Sequence, residues 1–132
     1  MHIYVTHSKK MDFRNGLYVP LRNSKINKLH TLVLPHESSQ ENYSSKKFFR
    51  EWCHFVIAEV SLPGTGIGIE LGWADSYGVP IIAIHKHDVE PPKSVASVTD
   101  QFVAYTGVND MIQKLEERVL NLDEFGIKLA SR

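Results

Sequence analysis

The sequence predicts an α/β protein: an open, mostly parallel, five-stranded sheet with helices on both faces. Three observations carry that expectation. Short β-branched and aromatic runs alternate with stretches of helical periodicity along the whole chain. The run Phe55–Val60 (FVIAEV) is almost continuously apolar, as a strand covered on both faces must be. The 132 residues are 42% hydrophobic, enough for one core, so a single domain over 1–132 is expected.

Each element has its own reason. Ile3–Thr6 (IYVT) is the first strand. Phe13–Asn23 reads as a weak helix, because Gly16 and Pro20 interrupt it. Thr31–Leu34 (TLVL) is the second strand, ended by Pro35, and His36–Ser45 is polar and reads as a loop. Ser45–Trp52 is a short helix with Ser44 or Ser45 as its cap. After the third strand, Leu62–Gly66 (LPGTG) is a tight loop. Ile67–Tyr77 is then a helix, with Ile67, Leu71 and Ala74 at helical spacing and Gly78 as its stop. Val79–Ile84 is the fourth strand, with Pro80 near its start. His85–Asp100 is a surface loop or short helix, Phe102–Tyr105 the fifth strand, and Asp110–Leu122 a last helix that Asn109 caps. Ile112, Leu115, Val119 and Leu122 form its apolar face. This order is that of a flavodoxin- or Rossmann-like sheet, which binds ligands beyond the C-terminal ends of its strands. That rule selects Thr6–Lys10, Pro35–Glu37, Ser61–Gly68 and His85–Asp88.

Composition narrows the function. Fifteen Lys plus Arg balance fifteen Asp plus Glu, so the basic excess of a nonspecific nucleic-acid binder is absent and no nucleic-acid polymer is expected as partner. The lone Cys53 excludes an intrachain disulfide and a cysteine zinc cage, in keeping with a reducing cytoplasm. MHIYVTHSKK lacks the charge order of a signal peptide, and no apolar run approaches a membrane span. A soluble cytoplasmic protein without a membrane partner is expected.

The segment FVIAEVSLPGTGIGIELGWADSYGVPIIAI carries the chemistry. A buried strand runs into a turn with Gly64, Gly66 and Gly68, and then into a helix whose N-terminus favours negative charge. The spacing is neither GxGxxG nor a Walker loop. Glu70 stands one turn into that helix. It either complements the helix dipole or serves as a carboxylate nucleophile beside backbone donors, an arrangement suited to attack on an electrophilic sugar carbon.

The run VIAEVSLPGTGIGIELGWA, followed by GVPIIAI, resembles the nucleoside 2-deoxyribosyltransferase superfamily, which includes the 2′-deoxynucleoside 5′-phosphate N-hydrolases. The resemblance implies that Glu70 is the catalytic glutamate, forming a glycosyl-enzyme ester as the base departs. It implies that Tyr4 is a first-strand tyrosine beside the nucleophile; as a bare strand residue, Tyr4 reads equally as a core aromatic. Thr6, His7 and Ser8 would line the pocket with Gly64, Thr65, Gly66 and Gly68. Ser94, in PPKSVAS, matches a serine that the phosphate-preferring branch supplies across a subunit interface, so a homodimer or higher homo-oligomer is expected. The implied substrate is a nucleoside or nucleoside 5′-monophosphate, with no metal and no cofactor. Hydrolysis is favoured over base exchange on the Tyr4 match.

The departures are specific. The family's aspartate before the third strand corresponds here to Ser44-Ser45-Lys46-Lys47, with Glu41 and Glu51 as the nearest carboxylates. His54 and Gly64 also replace positions that are often acidic or polar. His36 or His54 is therefore a candidate for the missing acid. The rival reading is an inactive nucleotide-binding or sensing module on the same fold, and a third is recognition of a dinucleotide such as NAD.

Other candidates read as structural. His85 and His87 lack a third metal ligand, and Cys53 and His54, adjacent in sequence, point oppositely if both lie in a strand. Phe48, Phe49 and Trp52 read as core or subunit contact. Trp73 either stacks on a base or packs an interface. Lys10, Lys46 and Lys47 read as solvated, and Lys9 as solvated or within reach of a phosphate.

Overall fold

The computed structural model describes residues 1–38 and 44–132. Its sheet is five-stranded and entirely parallel, in the order β2-β1-β3-β4-β5. The strands are β1 (His2–Thr6), β2 (Thr31–Val33), β3 (Phe55–Glu59), β4 (Ile81–Lys86) and β5 (Phe102–Tyr105). Ile3 sits opposite Leu32 on β2 and Phe55 on β3, which makes β1 the second strand from the edge. The chain winds one way from β1 to β2, then returns past β1 to β3. The direction of winding therefore reverses between β1 and β3, and there the C-terminal strand ends leave a crevice.

Alternation along each strand divides the core. Ile3, Val5, Phe55, Ile57, Ile82 and Ile84 point to one face, which is covered by α1 (Val19–Arg22), α2 (Lys25–Leu29) and α5 (Val108–Leu120). Tyr4, Val56, Ala58, Ile81 and Ala83 point to the other, beneath α3 (Ser45–Glu51) and α4 (Thr65–Ser76). All five residues of β3 are buried, as its apolar run requires. Small Ala58, Ala74 and Ala83 sit in the α4-side cluster and let that helix lie close to the sheet.

Several boundaries differ from the sequence expectation. The helix expected over Phe13–Asn23 is a π-helical turn, Arg14–Tyr18, running into α1, with Pro20 in its first turn where a missing N–H costs little. The sequence reading missed α2, whose one buried residue is Ile26. No side chain of Ser44 caps α3, and the 36–45 loop is described only outside 39–43, so Glu41 lies outside the described residues. Helix α4 starts two residues earlier than expected, with Gly64 at its N-cap, so Gly66 and Gly68 belong to the helix and not to a turn. Gly78 ends it with φ of 71°, the left-handed conformation that β-carbon sterics make costly for other residues. Strand β4 runs on to Lys86, and a 3₁₀ turn, Lys93–Ser97, interrupts the following loop. Asn109 is not the cap of α5. That helix begins at Val108 after Gly107, and Asp110 instead accepts from the Thr106 N–H at 2.9 Å. Met111 joins Leu115 and Val119 on its buried face, while Ile112 is partly buried. Among the described residues no helix is long and apolar enough to cross a membrane.

Candidate active site

Residues two apart on a strand face the same way, so Tyr4 and Thr6 of β1 both point toward α4. Glu70, the sixth residue of α4, meets them. The Tyr4 hydroxyl donates to Glu70 Oε2 at 2.6 Å, and the Thr6 hydroxyl donates to Oε1 at 2.8 Å. Each carboxylate oxygen thus has one neutral donor, which fixes the plane of the group. The Tyr4 ring itself is core: it is 2% exposed and meets the Phe49 ring edge-on at a centroid distance of 4.8 Å. Burial and the Glu70 charge hold its phenol far above the ordinary tyrosine range, so it stays a donor. Tyr4 thus has its ring in the core and its hydroxyl on the Glu70 carboxylate.

Glu70 opens into a cleft of about 950 Å³ at the C-terminal ends of β1 and β3. The residues after β1 (His7 to Lys10), His36 after β2, Ser45 of α3, and Pro63 to Ile67 with Ile69 and Trp73 complete its walls. Three of the four segments selected by the strand-end rule converge here, and His85–Asp88 does not. No side chain caps α4, since Gly64 has none, and Gly66 would place a β-carbon in open space. The first-turn N–H groups are therefore offered to the cleft without an internal side-chain partner, where the helix dipole favours an anion.

The other expected site residues divide by position. Ser8 is buried, and its hydroxyl oxygen accepts from the Lys10 N–H at 3.1 Å, shaping the loop that carries both lysines. Thr65 lines the cleft and Thr6 reaches Glu70 from beneath it. Gly68 and Ser94 face a second groove of about 390 Å³ on the other side of α4, which shares only Pro63, Gly64 and Ile67 with the cleft. Within one chain, Ser94 and Glu70 are not brought together.

His7 is held from both ends. A carbonyl can only accept, so Nδ1–H donates to the Ser8 oxygen at 2.9 Å, and Nε2 accepts from the Tyr18 hydroxyl at 2.6 Å. Burial lowers its pKa and keeps the ring neutral, while Phe13 stacks on it at 4.5 Å. The Tyr18 oxygen in turn accepts the His36 N–H at 3.1 Å, and burial raises the Tyr18 phenol to about 12.

Of the two histidines considered as acids, His36 lines the cleft. His54 does not: it precedes β3, at the opposite end of the sheet, where its Nδ1 accepts from the His2 N–H at 2.9 Å and its ring stacks on His2. Glu51 is also remote, beside Arg50 at 3.4 Å. Cys53 is buried, donates to the Phe55 oxygen at 3.1 Å, and has its thiol pushed up to about 12 by burial, so it is no thiolate nucleophile. His85 is bound locally, its Nδ1 2.9 Å from the Val89 oxygen. Among the described residues no three metal-ligating side chains converge. Lys46 lies over the Trp73 ring at 5.8 Å, at the edge of the cleft.

The reading from sequence missed one polar cluster. Glu59, buried at the end of β3, accepts from the Ser61 N–H at 2.6 Å, the Ser61 hydroxyl at 3.1 Å and the Tyr105 hydroxyl. The Ser61 oxygen also accepts the Lys86 N–H at 2.8 Å. The cluster ties β3, β4 and β5 together just before the Pro63–Gly64 turn. Glu59 inside an otherwise apolar strand was the available signal, since a buried carboxylate needs donors.

A doubly wound parallel sheet in the order 2-1-3-4-5 is a flavodoxin-like fold, and the hydrogen-bonded Glu70 carboxylate stands at its reversal point. Among solved structures, the chain is similar to the CMP N-glycosidase BcmB of Clostridium botulinum. The TM-score is 0.64 and the identity 17%, over 88% of this chain and 99% of that one, so the likeness is one of fold. No protein-family model and no curated protein matches the chain.

Proposed function

We propose that the chain cleaves the N-glycosidic bond of a nucleoside or nucleoside 5′-monophosphate, with Glu70 as nucleophile. The observation that carries the proposal is the Glu70 carboxylate, held at both oxygens by Tyr4 and Thr6 and opening into a nucleotide-sized cleft. The named activity of the similar structure supports the bond type. A carboxylate lone pair attacks the anomeric carbon, the C1′–N electron pair leaves with the base, and water resolves the resulting ester. Tyr4 and Thr6 keep the nucleophile from rotating away, so its attack geometry is set before substrate arrives. The first turn of α4, with Ser8 and Lys9 opposite, suits the phosphate of a monophosphate. Hydrolysis is preferred to transfer, and a cytoplasmic homo-oligomer is part of the proposal. Ser94 lies across α4 from the cleft of its own chain, so its contribution would go to a neighbouring subunit.

A second reading has one observation in its favour. Ser45, in the stretch Ser44–Lys47 that the resemblance matches to an aspartate-bearing segment, stands in the cleft without an acid beside it in that stretch, which suits a module that binds nucleotides without cleaving them. Chromatography of free base, released from a panel of ribo- and deoxyribonucleosides and their 5′-monophosphates with and without a second base, separates the two. Release abolished by Glu70→Ala supports the enzyme, and dependence on added base marks a transferase. Binding without release, unchanged in Glu70→Gln, refutes it in favour of the module.

A further inference from the structure

An N-glycosidic bond breaks with its electron pair on the base, and that pair needs a proton. Among the described residues of the cleft, Glu70 is the sole carboxylate, and it is spent as the nucleophile. Ser45, the residue of the stretch Ser44–Lys47 that lines the cleft, is no acid at neutral pH. The remaining proton carriers are Tyr4, His7, Lys9, Lys10 and His36. Tyr4 has its proton on Glu70, and burial strengthens its hold on it. His7 has both ring nitrogens turned inward, one to Ser8 and one to Tyr18. Ammonium groups are weak acids at neutral pH. An imidazolium alone combines a place in the cleft with a proton that leaves near neutrality.

We infer that His36, on the segment after β2, protonates the departing base. The inference rests on the N-glycosidase reading. The fold presents this residue's backbone firmly: the Tyr18 hydroxyl oxygen accepts the His36 backbone N–H at 3.1 Å, and the next residue, Glu37, is gripped by Arg22 through two bonds of 2.8 and 2.9 Å. Its ring lies edge-on to neutral His7 at 5.7 Å and 6.1 Å from Phe13. Among the described residues, the titratable and charged groups around it are His7 and Tyr18 beneath, Glu37 already paired with Arg22, and Lys9, Lys10 and Glu70 around the cleft. His36 and Glu70 come from opposite sides of β1, so a sugar between them has its nucleophile on the α4 side and its base toward β2.

The step balances. A Glu70 oxygen forms a bond to C1′ as the C1′–N bond breaks. The electron pair goes to the base, and the imidazolium proton neutralises it. Neutral His36 then takes a proton from the water that attacks C1′, and the ester electron pair returns to Glu70. The sum is substrate plus water to sugar plus free base.

The test measures kcat against pH for wild type and His36→Asn. CMP is the probe, with the other common ribo- and deoxyribonucleoside 5′-monophosphates beside it. Tryptophan fluorescence gives the dissociation constants and thermal melting the fold. The wild-type rate should fall as pH rises through the imidazole range. His36→Asn should lose kcat by about 10²–10⁴-fold with little change in affinity, and its rate should lose that alkaline limb. Added imidazole should partly restore His36→Ala. Retention of rate and pH profile by His36→Asn overturns the inference. So does a lost rate with an unchanged profile and no imidazole rescue, which marks a structural role, or transfer of the alkaline limb to Glu41→Gln. If wild type releases base from none of the probes, the N-glycosidase reading itself fails, and this inference with it.

Discussion

The Tyr4 hydroxyl can be removed with little else. In Tyr4→Phe the ring keeps its edge-on contact with Phe49 in the α4-side core, so no cavity opens. The main loss is a 2.6 Å bond to Glu70 Oε2, with the hydroxyl's interaction with Ser45 beside it. A hydrogen bond to a charged group contributes roughly 1.5–3 kcal/mol, and a neutral one roughly 0.5–1.5. Urea unfolding at pH 7 should therefore show Tyr4→Phe less stable by about 1.5–3 kcal/mol. In a Glu70→Gln background the same change should cost about 1 kcal/mol less, because the charge that strengthens the bond is gone. That difference is the coupling a double-mutant cycle isolates. Activity should fall with it, since Thr6 alone no longer fixes the carboxylate plane. A loss of kcat of about 10–100-fold corresponds to about 1.4–2.7 kcal/mol. A cost below about 0.5 kcal/mol in both backgrounds would mean that the hydroxyl contributes no more to the folded protein than to the unfolded chain, contrary to this expectation.

Further predictions concern pH and backbone. Burial raises Tyr4, Tyr18, Tyr105 and Cys53, so above about pH 9–10 the unfolded chain gives up protons that the native state keeps. Stability present below that range is then lost as pH rises, and urea midpoints across pH 9–11 should fall steeply, less so in Tyr105→Phe. Burial lowers His7, His30 and His54, so their contribution is complete above about pH 6.5 and is lost as pH falls, when the unfolded chain binds the extra protons. His7→Gln should flatten that acid limb in unfolding curves between pH 4 and 7. Gly78→Ala forces a β-carbon into φ of 71° with no steric neighbour, so its cost is backbone strain alone, about 1–2 kcal/mol by calorimetry. Gly66→Ala and Gly68→Ala, also without neighbours but inside α4, should each be neutral or stabilising by up to about 1 kcal/mol. Only Gly66→Ala should weaken nucleotide binding in equilibrium titrations, because Gly66 alone of the two lines the cleft.

Periodicity exposed the fold because each strand's burial is written in its residue types: FVIAE and IYVT are both buried throughout. Boundaries were harder to read where the backbone overrides side-chain signals. Gly64 starts α4 although it offers no capping group, and Asn109 is drawn into α5 because Asp110 satisfies the preceding N–H. Within the site, Glu70, Tyr4, His7 and Ser8 were legible because a strand end and a helix start fix where they go. Ser94 and Gly68 were not separable from them in sequence, since the helix that divides the two grooves also carries the motif. The inward locking of His7 depends on Tyr18, eleven residues away on an irregular helical turn that no periodicity encodes.

The chain has two tryptophans, and the fold assigns them different surroundings. Trp73 forms part of the cleft wall beside Glu70, whereas Trp52 stands 56% exposed just beyond α3 and does not line the cleft. Replacing Trp52 with Phe leaves a protein whose indole emission arises from the site alone. Occupancy then becomes visible whether or not any bond is broken. A protein that takes up a nucleotide and holds it intact and one that turns it over would each give a signal from the same side chain, one a steady plateau and the other a recovery as product departs.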